Sequence, residues 1–180
     1  MNSKLEVKLR KHENTLTVSG FAVLAFALWE IVKIVIMVSL QPEYFTALME
    51  PLKADPEFTD LLPITASVSV FFIILFYGIF IGLRLYIARS ANEVGRRKSN
   101  KSAYIVWAIF CSFSTLLTLF INSITILTGL LGVEEVDFMG EGIVTTILDL
   151  TSLLAMLDLV ISGITVKVIR KKLAREKEQG

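Results

Sequence analysis

The sequence predicts an all-α polytopic membrane protein, a four-transmembrane-helix bundle with both termini in the cytoplasm, and three observations predict it. Of the 180 residues, 54% are hydrophobic and 19% charged, against about half and about a quarter in a soluble domain. The excess is concentrated in four windows, 15–40, 61–83, 102–130 and 142–166. Each holds the roughly 20 apolar residues needed to cross a hydrocarbon core of about 30 Å. Lysine and arginine, finally, are distributed very unevenly among the flanks, and cytoplasmic segments are the ones that retain positive charge during insertion.

The first window is interrupted only by Glu30 and Lys33 and follows a basic start at Lys4, Lys8, Arg10 and Lys11. Ala25-Phe26-Ala27 has the small-x-small form of a signal-peptidase site. A mature chain should turn polar after cleavage, whereas here Ile34, Val35, Ile36, Met37 and Val38 prolong the apolar run, so no cleavage is expected. Residues 4–14 are expected to form a basic amphipathic helix on the inner surface. The second window carries no charge, opens at Pro63 and is expected to end at Arg84. The third is longer than a bilayer requires, with Tyr104 and Trp107 placed for an interfacial belt and Gly129 and Gly132 near its outer end. The fourth contains Asp149 and Asp158 and runs into a basic tail, Lys167 to Lys177.

Orientation follows from the flanks. The N-terminal segment, the expected inner loop 84–101 and the tail hold sixteen of the 18 Lys and Arg residues. The loop 41–60 is acidic through Glu43, Glu50, Asp55, Glu57 and Asp60, and the loop 131–141 through Glu134, Glu135, Asp137 and Glu141. Both are therefore expected outside. Pro42 and Pro56 stand where helices begin, with Asp55 as an N-cap for the second. Short surface helices are expected there, with Tyr44, Phe45, Leu48 and Leu52 or Phe58 dipping inward. The chain reads as a single membrane domain, 1–180, without internal repeats.

Partners follow from the same charges. The lipid bilayer is the first, and Arg96-Arg97-Lys98 and Arg170-Lys171-Lys172 are placed to meet anionic lipid on the inner face. No nucleic-acid signature is present. The lone cysteine, Cys111, excludes an intramolecular disulfide. His12 is the only histidine, so neither a metal site nor a cofactor is expected. The acidic residues of 134–141 lack the spacing of a calcium loop.

Ionisable groups inside a membrane cost about 2.5–3.5 kcal/mol each at a helix centre on insertion scales, and each demands a reason. With a rise of 1.5 Å per residue, Glu30, Lys33, Asn122 and Asp149 fall at similar depth in the outer half. They are expected to form a polar layer, with Lys33 paired to Asp149 across helices, serving either as a docking device or as an ion or substrate site. Asp158 is nine residues from Asp149, hence on the opposite face, in the inner half near Tyr77, Ser112 and Ser114. No basic residue is expected at that depth, which makes Asp158 a candidate protonatable site hydrogen-bonded to a hydroxyl. Thr115, Thr118, Asn122 and Thr125 form one stripe, able to line a wet path or to pack helices. Gly78 and Gly82 form a small-xxx-small packing motif.

No enzymatic constellation is present: no paired histidines, no nucleophile elbow and no phosphate-cradling glycine loop. The expectation is a non-enzymatic integral membrane protein, a homo-oligomer or an accessory subunit of a membrane complex. The alternative is a proton- or cation-coupled transporter or channel using the intramembrane carboxylates. Compact loops and an uncleaved start favour a bacterial plasma membrane.

Overall fold

The computed structural model describes residues 3–40, 62–130 and 139–178. The expected surface helices of 41–60, and the acidic loop through Asp137, lie outside those residues. Four helices are present and there is no strand among the described residues: α1 Ser3–Leu40, α2 Leu62–Gly95, α3 Ala103–Leu130 and α4 Met139–Glu178. All four are long and apolar enough to cross a membrane, over Lys4–Val35, Ile74–Gly95, Ala103–Thr128 and Ile143–Glu176.

Three helices run further than hydropathy alone predicts. Between Ser3 and Ser19 there is neither glycine nor proline, so the basic start forms no separate surface helix and continues directly as α1. α2 does not stop at Arg84: Leu85, Tyr86, Ile87 and Ala88 continue the apolar pattern, and the helix ends eleven residues later at Gly95. α4 continues through the basic tail to Glu178. A charged side chain does not stop a helix whose backbone hydrogen bonds are already satisfied internally.

The end of α2 has a specific cause. The Lys98 amide donates to the Glu93 carbonyl (2.8 Å) and the Arg97 amide to the Val94 carbonyl (3.1 Å), the paired bonds that close a helix through a left-handed residue. That residue is Arg97, at φ 61°, where glycine is usual. Six residues after Arg97 α3 begins, with the Ile105 amide donating to the Ser102 carbonyl (3.1 Å).

The chain divides into two compact units, Met1–Ala25 with Arg84–Gly180, and Phe26–Leu83. In the first, parts of all four helices pack together. Gly20 approaches Ala88 and Ala91, Gly95 approaches Glu13 and Thr17, and Gly163 approaches Tyr104 and Ile105. The buried side chains of α3 recur every three or four residues: Tyr104, Ile105, Ala108, Cys111, Ser112, Thr115 and Leu119. Those of α4 do the same: Asp149, Ser152, Leu153, Met156, Leu159, Val160, Ser162, Val166 and Ile169. Small and polar groups are well represented inside, while Val106, Phe110, Phe113, Leu116, Phe120, Leu154 and Ile161 are exposed. Water would penalise so much continuous apolar surface.

Candidate functional site

Two polar clusters tie helices together among the described residues of the first unit. One lies where α1, the end of α2 and the end of α4 meet. The Glu13 side chain, only 5% exposed, accepts from Arg97 Nη2 at 2.8 Å and Nε at 2.9 Å, and from Arg170 Nη2 at 3.0 Å. Arg170 also donates to the Val94 carbonyl at 2.8 Å and to Asn100 Oδ1 at 2.7 Å, so one guanidinium joins α4 to the end of α2 and to the turn after it. Glu13 holds the Arg97 guanidinium charged beyond its ordinary range, by hydrogen bonding and then by charge attraction. The bidentate grip also explains how an arginine is kept at a left-handed position costing about 1 kcal/mol. Two of the basic residues expected to face lipid, Arg97 and Arg170, are thus engaged by Glu13, while Lys171 and Lys172 remain exposed.

The second place lies deeper. Arg84 is 9% exposed, and its Nη2 donates to Thr115 Oγ1 at 3.0 Å, while the Thr115 hydroxyl donates to the Cys111 carbonyl at 3.0 Å. The sequence reading set Arg84 at the membrane exit; in the structure α2 continues past it, and Arg84 is buried among helices. α3 and α4 run antiparallel with Tyr104 beside Gly163 and Ser102 beside Lys167. Eleven residues along α3, Thr115 therefore stands about level with Ser152, roughly one turn from buried Asp149.

The expected outer layer divides between the two units. Glu30 and Lys33 belong to Phe26–Leu83 and approach each other at 3.4 Å, as an i,i+3 pair. Asn122, half-buried, and Asp149, buried, belong to the other unit.

Asp158 is exposed on α4 and its Oδ2 accepts from Ser19 Oγ of α1 at 2.8 Å. The expected hydroxyl is present, but it comes from neither of the expected serines. Ser112 is buried and donates to the Ala108 carbonyl (2.8 Å), and Ser114 is half-buried with its carbonyl accepting from Thr118. Tyr77, in the other unit, is exposed.

The threonine stripe of α3 is not uniformly lined up on an interior. Thr115 is buried, whereas Thr118 is exposed and bonded to its own helix, and the Thr125 side chain lies outside the described residues. Around Gly78 and Gly82 the space is open: a methyl group at either would meet nothing within 4 Å. No group of three metal-ligating side chains occurs among the described residues.

Sequence reasoning missed Glu13, Ser19 and Arg84. Arg84 had a signal, the apolar residues that follow it. Glu13 and Ser19 had none beyond being polar residues in a helix. Comparison with protein-family models, with curated proteins and with solved structures finds no match to this chain.

Proposed function

We propose that this chain is a non-enzymatic integral membrane protein, crossing the bilayer four times with both termini in the cytoplasm. In that membrane it acts as a homo-oligomer or as an accessory subunit of a larger complex. The orientation is supported by the first unit, where Glu13, Arg97, Asn100 and Arg170 hold the basic N-terminal segment, the turn after α2 and the basic tail at one end. Spanning is supported by large apolar side chains that face outward around small and polar interiors.

Asp158 carries the assembly reading. It lies nine residues before Lys167, about 13 Å into the span at 1.5 Å per residue, and it is an exposed residue whose carboxylate accepts from Ser19 in a part-buried hydrogen bond. Lipid facing such a group is costly. A neighbouring protein chain removes that cost by covering the carboxylate and supplying further donors.

The test is native mass spectrometry of protein extracted gently from its own membrane after cross-linking, for the natural chain and for Asp158→Leu. The natural chain should carry a stoichiometric neighbour, either another copy or a distinct subunit. The variant should lose it while melting within a few degrees of the natural chain, because the substituted side chain is exposed. A strictly monomeric natural chain would sink the reading.

Proton- or cation-coupled transport is the second reading, favoured by the presence of Asp149, Asp158 and Arg84 within the span. Adding Arg84 to Glu30, Lys33, Asp149 and Asp158 changes the formal sum from minus two to minus one, which weakens the preference for cations. Asp158→Asn should abolish proton-driven flux in vesicles on this reading, and unchanged flux would remove Asp158 from any such mechanism.

A further inference from the structure

A cavity of about 170 Å³ opens between α3 and α4 at the basic end of the first unit. Its floor is apolar, made by Val94, Ile105 and Val166, and its rim carries Lys101, Lys167 and Arg170. No acidic side chain lines it. We propose that this cavity binds a phosphate-bearing anion, seated there as the headgroup of an anionic phospholipid; the inference rests on the membrane reading above.

The three cations are committed differently. Arg170 is fixed by four acceptors: Glu13, the Val94 and Ser99 carbonyls, and Asn100. It forms a rigid wall whose charge Glu13 must share with Arg97. Lys167 and Lys101 differ from it. Lys167 is exposed, with Nζ 3.2 Å from the Ser102 hydroxyl, and Lys101, also exposed, lines the same cavity. Counting Glu13, Arg97, Arg170, Lys101 and Lys167, the cluster has a formal excess of three positive charges. The Lys167 ammonium beside the Ser102 hydroxyl, with Lys101 lining the same cavity, suits an anion with several oxygens, which can meet more than one donor at once.

Position selects the lipid form. The cavity is at the end of the apolar spans, where α3 starts and where α4 passes from apolar to basic. Beyond its apolar floor, Val106, Ile109 and Ile164 are exposed on the same two helices, offering a surface for acyl chains. Anionic headgroups concentrate at this level, and basic side chains near them attract them.

The experiment uses the full-length protein in mixed micelles, with lipid retention read by native mass spectrometry. Phosphatidylglycerol and phosphatidic acid are compared with phosphatidylcholine for the natural chain, for Lys101→Gln/Lys167→Gln, and for the control Lys171→Gln/Lys172→Gln. The natural chain should retain anionic lipid selectively. The cavity variant should weaken that selectivity about 20-fold or more, at roughly fivefold per lysine, with unchanged melting, and the control should keep it. Equal losses in the two variants would show diffuse attraction and overturn the site. So would selectivity that survives the cavity variant. Displacement of the lipid by millimolar inorganic phosphate, with phosphate binding in lipid-free micelles, would overturn the lipid assignment in favour of a soluble anion. Retention of the protein in membranes through alkaline carbonate extraction checks the membrane reading separately, so a failed site and a failed membrane assignment give different results.

Discussion

The two halves of α2 contrast sharply in what they expose. Up to Leu83 the helix is the more apolar, yet Phe71, Phe72, Ile74, Leu75, Phe76, Tyr77 and Ile79 are all exposed, three of the phenylalanines by more than 60%. From Arg84 onward it carries arginines, a serine, an asparagine and a glutamate, and this is the half that is packed: Arg84, Ile87, Ala88, Ser90, Ala91 and Val94 are buried. In water the order would be reversed, because apolar burial drives folding there. In a bilayer, as proposed above, that drive between helices is absent, and close packing of small residues and the pairing of polar groups remain. The polar half is therefore where the tertiary structure is held.

The strongest way to break that half is at Glu13. Glu13→Ala should leave two guanidinium groups without their shared carboxylate and release Arg97 from its left-handed backbone. The expected loss is about 3 kcal/mol, toward the lower end of the range for removing one partner of a buried pair because Arg97 is 57% exposed. Thermal melting in detergent, followed by helix signal or by a thiol dye on Cys111, measures it. Arg89→Ala supplies the comparison, since Arg89 meets Glu93 at 3.2 Å on the exposed surface, where such pairs contribute little. Equal effects at the two positions would show that burial of the carboxylate is unimportant.

Gly95→Ala comes next. The added methyl would collide with the Thr17 hydroxyl and come to 2.8 Å from the Glu13 carbonyl. The second obstacle is backbone, so α1 and α2 must separate. A loss of about 2 kcal/mol follows, as for other overpacked contacts. Loss of the Glu13 interactions should accompany it, readable as non-additivity when Gly95→Ala and Glu13→Ala are combined.

How far the sequence carries depends on which of these forces is being read. The four apolar helices are legible because the length of an apolar run is a one-dimensional property, visible in 15–40 or 102–130 without a structure. Helix ends are less so: Arg84 resembles a boundary by charge, and only the continuing Leu85 to Ala88 pattern and the absence of a breaker before Gly95 show otherwise. The polar contacts are hardest. Glu13 meets Arg97 and Arg170 across sequence separations of 84 and 157 residues, and Ser19 meets Asp158 across 139. Such pairings depend on which helix neighbours which, and hydropathy says nothing about that. The nine-residue spacing of Asp149 and Asp158 was readable, and the two side chains do differ in burial.

The smallest expected effect tests the apolar half of α2. Gly78 and Gly82 have the spacing of a close-packing motif, but both stand in open space within the chain, whereas Gly20, Gly95 and Gly163 each lie against a neighbouring helix. If lipid covers the pair, Gly78→Ala/Gly82→Ala should stabilise the helix slightly, by up to about 1 kcal/mol per position, because alanine loses less backbone entropy than glycine. The oligomeric state read by cross-linking should not change. If instead another chain packs its backbone against these glycines, the same methyl groups would hold it away, and the cross-linked species should decline while the monomer keeps its melting temperature. The sign of the double variant thus decides whether this half of α2 meets solvent lipid or protein, which the spacing of two glycines alone does not.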